Sequence, residues 1–166
     1  SGGTIECFAT GLPVGLGEPV FDKLDANLAK ALMSVGAVKA VEIGDGVGAA
    51  SSAGSLNNDE FCIRDGQIAK KTNHSGGTLG GLSDGSTLLV RATVKPTSSI
   101  ARTQSTVTSE GRETELSIKG RHDPVIVPRA VVVVESMTAL TLADLLLENM
   151  GSRLNKIKTF YSEGMK

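Results

Sequence analysis

The chain has no tryptophan, one tyrosine and four phenylalanines among its 166 residues. Single-stranded nucleic acids are held on successive aromatic platforms, which this chain cannot supply. Its formal net charge is −1, so no overall field points to a polyanion or an anionic bilayer. Neither a nucleic acid nor a membrane is expected as a partner. Cysteine is also scarce: Cys7 and Cys62 are too few for a disulfide framework and are not spaced as metal ligands. They read as free thiols in a reducing cytosol. Zinc spacing, a calcium loop, a Ser/His/Asp set and a dinucleotide fingerprint are all missing, and no metal is expected. No apolar run reads as the roughly 18 to 20 residues of a membrane span, and no secretory leader is expected. The chain begins with Ser rather than Met, and Ser1-Gly2-Gly3 reads as an expression remnant or as the cut end of something longer.

What is present suits one α+β domain: a mostly antiparallel sheet packed on long helices. Thr4 to Thr10 carries β-formers on both faces and reads as a strand. Pro19 reads as the first residue of a helix, with Glu18 beside its positive end. Phe21, Leu24, Leu28, Ala31, Leu32 and Val35 follow at steps of three and four as its buried stripe, and Gly36 closes it. Strands are expected over 37–43 and 88–94, and a hairpin over 106–119 turning at Glu110-Gly111. Between them, residues 44–85 are rich in Gly, Ser, Asn and Asp without a sustained period. That pattern reads as a long functional loop, or one disordered without ligand. Residues 128–150 run without a breaker and read as one long helix, apolar nearly all round and buried on several sides. So little polar surface calls for cover by a missing half or another subunit. Residues 152–166 read as a polar tail, a frayed helix or a loose end.

Four stretches carry possible chemistry. Lys95-Pro96-Thr97-Ser98-Ser99 ends a predicted strand with one cation and three hydroxyls. It suits a phosphate, or is an ordinary polar turn. Gly120-Arg121-His122-Asp123-Pro124 puts a fixed cation, a titratable ring and a carboxylate into one turn. Arg121 can hold phosphate and Asp123 or His122 can move a proton, or Asp123 simply caps the following helix. Asn73 to Gly81 is a glycine-rich loop that lets backbone approach a ligand, but it lacks the Gly-Lys-Ser/Thr of a nucleotide-phosphate loop. Val41 to Gly46 is a strand running into a glycine turn whose acids match no calcium loop.

Taken in order, Gly15 to Ala26, Val41 to Gly46, Asn73 to Gly77, Lys95 to Ile100 (KPTSSI), Gly120 to Pro124 (GRHDP), Arg129-Ala130-Val131 and Val134 to Met137 resemble the chorismate synthase family. The resemblance covers nearly the whole chain and implies the C-terminal half of such an enzyme over 1–151, with 44–85 as an active-site loop. It implies a layered fold of two similar halves with helices between two antiparallel sheets. It further implies a cytoplasmic, homotetrameric lyase of the shikimate pathway and aromatic amino acid biosynthesis, a flavoprotein with NADP as an associated nucleotide. The implied reaction is the reduced-FMN-dependent anti-1,4-elimination of phosphate from 5-enolpyruvylshikimate 3-phosphate. Carried over by motif, the FMN contacts are Gly36, Ala37, Gly80, Lys95, Pro96, Thr97, Ser98, Ser99 and Arg121, with Asp123 tuning protonation at the flavin. The chain departs from the family at Gly36, Ala40, Val47, Val125 and Val132, where Asn, Gly, Phe, Cys and Pro are usual. The other half, with its histidines and substrate-binding arginines, is not in this sequence, so the chain alone is expected to lack turnover. The alternative is a non-catalytic flavin- or phosphate-binding module, or a structural subunit.

Overall fold

The computed structural model describes residues 1–163. In chain order these form β1 (Gly3–Ala9), α1 (Leu24–Met33), β2 (Val38–Ile43), a 3-10 turn (Gly46–Ser51), α2 (Gly54–Asn57), β3 (Phe61–Arg64), β4 (Gln67–Lys70), β5 (Thr78–Leu79), β6 (Leu82–Ser83), β7 (Leu88–Val94), β8 (Gln104–Val107), β9 (Glu113–Leu116), α3 (Val127–Gly151) and α4 (Leu154–Glu163). The main sheet has the order β1-β7-β2, with β7 antiparallel to both neighbours. Three two-stranded hairpins, β3–β4, β5–β6 and β8–β9, are antiparallel as well. The α+β expectation holds.

The core follows from two periodicities. On β7 the alternate residues Leu88, Val90, Ala92 and Val94 are buried, and Leu89, Arg91 and Thr93 turn to the other face. On α1 the stripe is Leu24, Leu28 and Leu32, a step of four that keeps one line against the sheet. α3 adds Val134 and Leu145 from the same side. The sheet thus has its helices on one face. On the other, Arg91 Nε donates to Glu6 Oε1 at 2.6 Å across neighbouring strands.

Several sequence expectations are corrected. The first helix starts at Leu24, not Pro19. Residues 18–22 close a turn through Glu18 N to Asp22 O, and Leu24 N is capped by Gly81 O at 2.8 Å. Phe21 therefore leaves the predicted stripe and is 89% exposed. The helix ends at Met33, where Ser34 Oγ donates back to Ala31 O. The left-handed residue of the reversal is Ala37 (φ 71°), not Gly36. A left-handed non-glycine residue costs roughly 1–2 kcal/mol, so the local sequence pointed to the wrong position.

Residues 44–85 are not structureless. They hold the 3-10 turn, α2 and two hairpins, tied by side-chain hydrogen bonds that no periodicity could report. α3 is buried along one stripe only, at Val134, Thr138 and Leu145. Leu140 (65%) and Leu147 (67%) stand exposed with Val131 and Val132. α3 has the length and hydropathy of a membrane span, contrary to the reading of the sequence. Yet its buried stripe packs on α1 and β1, and Glu135 and Asp144 interrupt its apolar run. Val132 lies in the second turn of this unbroken helix, where a proline would forfeit a backbone bond. The β8–β9 hairpin forms about the expected turn, with its first strand at Gln104–Val107 rather than 106–109, and both its faces are exposed. Of the predicted tail, 154–163 is helical, and residues 164–166 lie outside the described residues.

Candidate functional site

One end of the sheet gathers most of the predicted site. β7 leaves the core at Val94, and Lys95 N donates to Ala37 O at 2.9 Å, joining the KPTSS stretch to the residue that follows α1. Thr97 Oγ1 donates to Asp123 O at 3.3 Å, drawing the GRHDP turn to the same place. Asp123 Oδ2 accepts from Arg129 Nη1 at 2.8 Å. This carboxylate therefore pairs with a cation one turn into α3, while the cap of α3 is Ile126, without a side-chain cap bond. The helix-capping reading of Asp123 is corrected accordingly. His122 Nε2 lies 3.2 Å from Ile118 O, inside its own loop. Lys95 and Arg121 are exposed and make no ion pair among the described residues. Pro96 and Ser98 are exposed beside them, and Ser99 is half-buried. Gly36 has nothing within 4 Å of the space a Cβ would take.

Gly80 is the exception. It lies in the β5–β6 turn, whose Gly81 caps the start of α1, whereas Ala37 follows the helix end. Ten helical residues, about 15 Å, separate the two ends. A Cβ on Gly80 would also meet nothing within 4 Å, so its backbone is open to approach from outside.

Reading of the sequence missed a buried polar network beneath the glycine-rich loop. Lys70, Asp84 and Asp59 have side chains only 5%, 5% and 6% exposed. Lys70 Nζ donates to Asp84 Oδ2 and, at 3.0 Å, to Ser75 Oγ. Asp59 accepts from Thr72 Oγ1, His74 N, Ser75 N and Ser75 Oγ, at 2.6–2.9 Å. Burial alone would raise the Asp59 carboxyl, but the hydrogen bonds from Ser75, Thr72 and His74 outweigh it and hold the group well below the usual carboxylate range. Burial likewise opposes ionisation of Asp84, and the bonds from Lys70 and Ser86 lower it. On the outer side, His74 Nδ1 meets Asp45 Oδ2 at 2.7 Å. Asn73 completes the loop, with Nδ2 on Thr87 O and Oδ1 accepting from Gly77 N. The only signal in the sequence was a lysine amid polar residues in a segment without period. Its burial depends on partners 11 and 14 residues away. No cluster of three or more metal-ligating side chains occurs among the described residues.

Together these features define an α+β unit with exposed cations at one end of its sheet and a long apolar helix left open on one side. Comparisons agree. The family model for chorismate synthase matches residues 1–147. The chorismate synthase of Agathobacter rectalis is 64% identical over 163 residues, covering 98% of this chain and 44% of that protein. That of Lachnospira eligens is 62% identical over 160 residues, covering 96% and 44%. A solved chorismate synthase structure superposes with a TM-score of 0.72 at 34% identity, over 98% of this chain and 42% of its own. The chain belongs to the chorismate synthase family. It spans less than half the length of these relatives.

Proposed function

We propose that the protein to which this chain belongs converts 5-enolpyruvylshikimate 3-phosphate to chorismate, expelling phosphate and the C6 proton with reduced FMN bound. For this chain the reading is carried by the convergence of Ala37, Lys95 to Thr97 and the Asp123 turn at one end of the sheet. Two cations without carboxylate partners among the described residues, the neighbouring hydroxyls of Ser98 and Ser99 and an open glycine suit a phosphate-bearing cofactor with a polar edge. When bound, the reduced flavin supplies transient electron donation with no net redox change. Lys95 and Arg121 offset anionic charge, while Ser98 and Ser99 donate hydrogen bonds and Thr97, whose hydroxyl donates to Asp123 O, holds the Asp123 turn beside them. Asp123, oriented by Arg129, holds or releases a proton at the flavin edge. Gly80 contributes backbone from the far end of α1.

This half lacks the substrate-binding arginines and the histidines that the family reading assigns to the other half, so it does not turn over alone. The open face of α3 supports cover by that half, within a cytoplasmic homotetramer. The test is chorismate formation under anaerobic conditions with reduced FMN. The longer protein turns over, this chain alone does not, and Asp123→Asn in the longer protein lowers kcat by about 10²-fold or more. Turnover by this chain alone, or an unchanged rate in Asp123→Asn, contradicts the assignment.

A further inference from the structure

Residues 72–81 form a loop held from within by Asn73, whose O and Oδ1 accept from Gly76 N and Gly77 N, and by a second set of bonds from outside. Gly76 and Gly77 take positive φ (65° and 84°). Gly76 lies so close to Gly44 that a Cβ would come within 2.3 Å of Gly44 N. Asp59 supplies a side-chain template for this backbone from outside the loop. Its two oxygens receive Thr72 Oγ1, His74 N, Ser75 N and Ser75 Oγ, four donors from three residues within one four-residue stretch. Lys70 locks the template, with Nζ 3.7 Å from Asp59 Oδ2 and bonded to both Ser75 Oγ and Asp84. From Ser75 the order continues: Thr78 Oγ1 donates to Ser75 O at 3.0 Å, at the first residue of β5. Gly80 is in the turn that follows, and Gly81 O is fixed on Leu24 N.

We infer that Asp59, locked by Lys70, is a positioning residue that sets the backbone of the glycine-rich loop for the ligand contact at Gly80. The inference rests on the flavin reading of Gly80 given above. The side chains of Asp59 and Lys70 are themselves buried. They act by removing the loop's freedom before binding, which raises affinity without adding a contact.

The experiment titrates the longer family protein with FMN, measuring the dissociation constant beside global unfolding for each variant. Asp59→Asn keeps the shape but converts an acceptor-only group into one that presents an NH2 to its donors. It is expected to weaken FMN by about tenfold or more, the usual range for groups that orient a ligand from one shell out, and to raise amide exchange across 72–81. Ser75→Ala removes one hydroxyl link, is less prone to unfold the protein, and is expected to weaken FMN by a smaller factor in the same direction. A merely structural role would lower stability while leaving the FMN affinity of the folded protein within twofold, and that result overturns the inference. Lys95→Ala separates the two levels of the argument. If Lys95→Ala weakens FMN and both loop variants do not, the positioning role fails and the flavin reading stands. If Lys95→Ala also leaves FMN unaffected, the flavin reading fails and takes the positioning role with it.

Discussion

Replacing Lys70 by Met removes a buried cation from between two buried carboxylates. Met keeps most of the stem and much of the packing, so the change is largely electrostatic. Breaking a buried pair by removing one partner costs about 3–5 kcal/mol, because the remaining charge stays desolvated. Asp59 keeps four other donors, whereas Asp84 Oδ2 loses Lys70 and the group retains Ser86 N on Oδ1. The cost therefore falls mainly on Asp84, and the lower end, about 3 kcal/mol at pH 7, is expected. The pH dependence has a defined sign. The Asp59 and Asp84 carboxyls are both lowered in the folded state. Their stabilisation is complete above the unfolded value of about 4, and is lost as pH falls through the folded values. Without Lys70, Asp84 loses its stabilising cation and protonates more readily, so the penalty shrinks on acidification. Denaturant unfolding followed by far-UV circular dichroism is the assay, since the chain has no tryptophan. The wild-type and Lys70→Met stabilities should converge between pH 7 and about pH 3. Adding Asp84→Asn to Lys70→Met should restore much of the loss. A penalty under about 1 kcal/mol at pH 7, or one that stays constant to pH 3, would refute the reasoning.

Gly76→Ala forces a Cβ into Gly44 backbone and should destabilise by more than about 3 kcal/mol. Gly111→Ala has a similar φ of 77° but open space, and should cost only about 1 kcal/mol, read by the same unfolding assay. Leu28→Ala empties a fully buried position of α1 and should cost about 3 kcal/mol. Leu140→Glu changes an exposed residue of α3. It should leave the stability of this chain within about 0.5 kcal/mol, yet lower the melting temperature of the longer protein if, as proposed, that face is covered there. Equal effects in both would contradict the cover.

Elements with their own period were legible in the sequence. β7 alternates residue by residue, and α3 runs from Val127 to Gly151 without a breaker. The start of α1 was not legible, because Pro19 looks like a first helical residue while the actual cap is Gly81 O, supplied from 57 residues downstream. Nor was the left-handed residue, which falls on Ala37 although Gly36 stands next to it. Residues 44–85 misled for a related reason. Their order comes from Asp59, Lys70 and Asp84 meeting across the fold, a relation that local composition does not encode. The cations and hydroxyls of the candidate site were readable as motifs, and sheet register then placed Ala37 beside Lys95. The partner of Asp123 was not readable: Arg121 is the nearer cation in sequence, and Arg129 is the one that meets it.

The most direct test of the central claim is an equilibrium titration of the longer protein with FMN, comparing wild type with Lys95→Ala and Arg121→Ala. Loss of one charge-assisted contact is worth about 1.5–3 kcal/mol, or roughly ten- to a hundredfold in the dissociation constant. The account predicts a weakening of that size in each variant, with unfolding unchanged because both side chains are exposed and make no ion pair among the described residues. Affinities within twofold of wild type in both would contradict it and place the flavin site elsewhere.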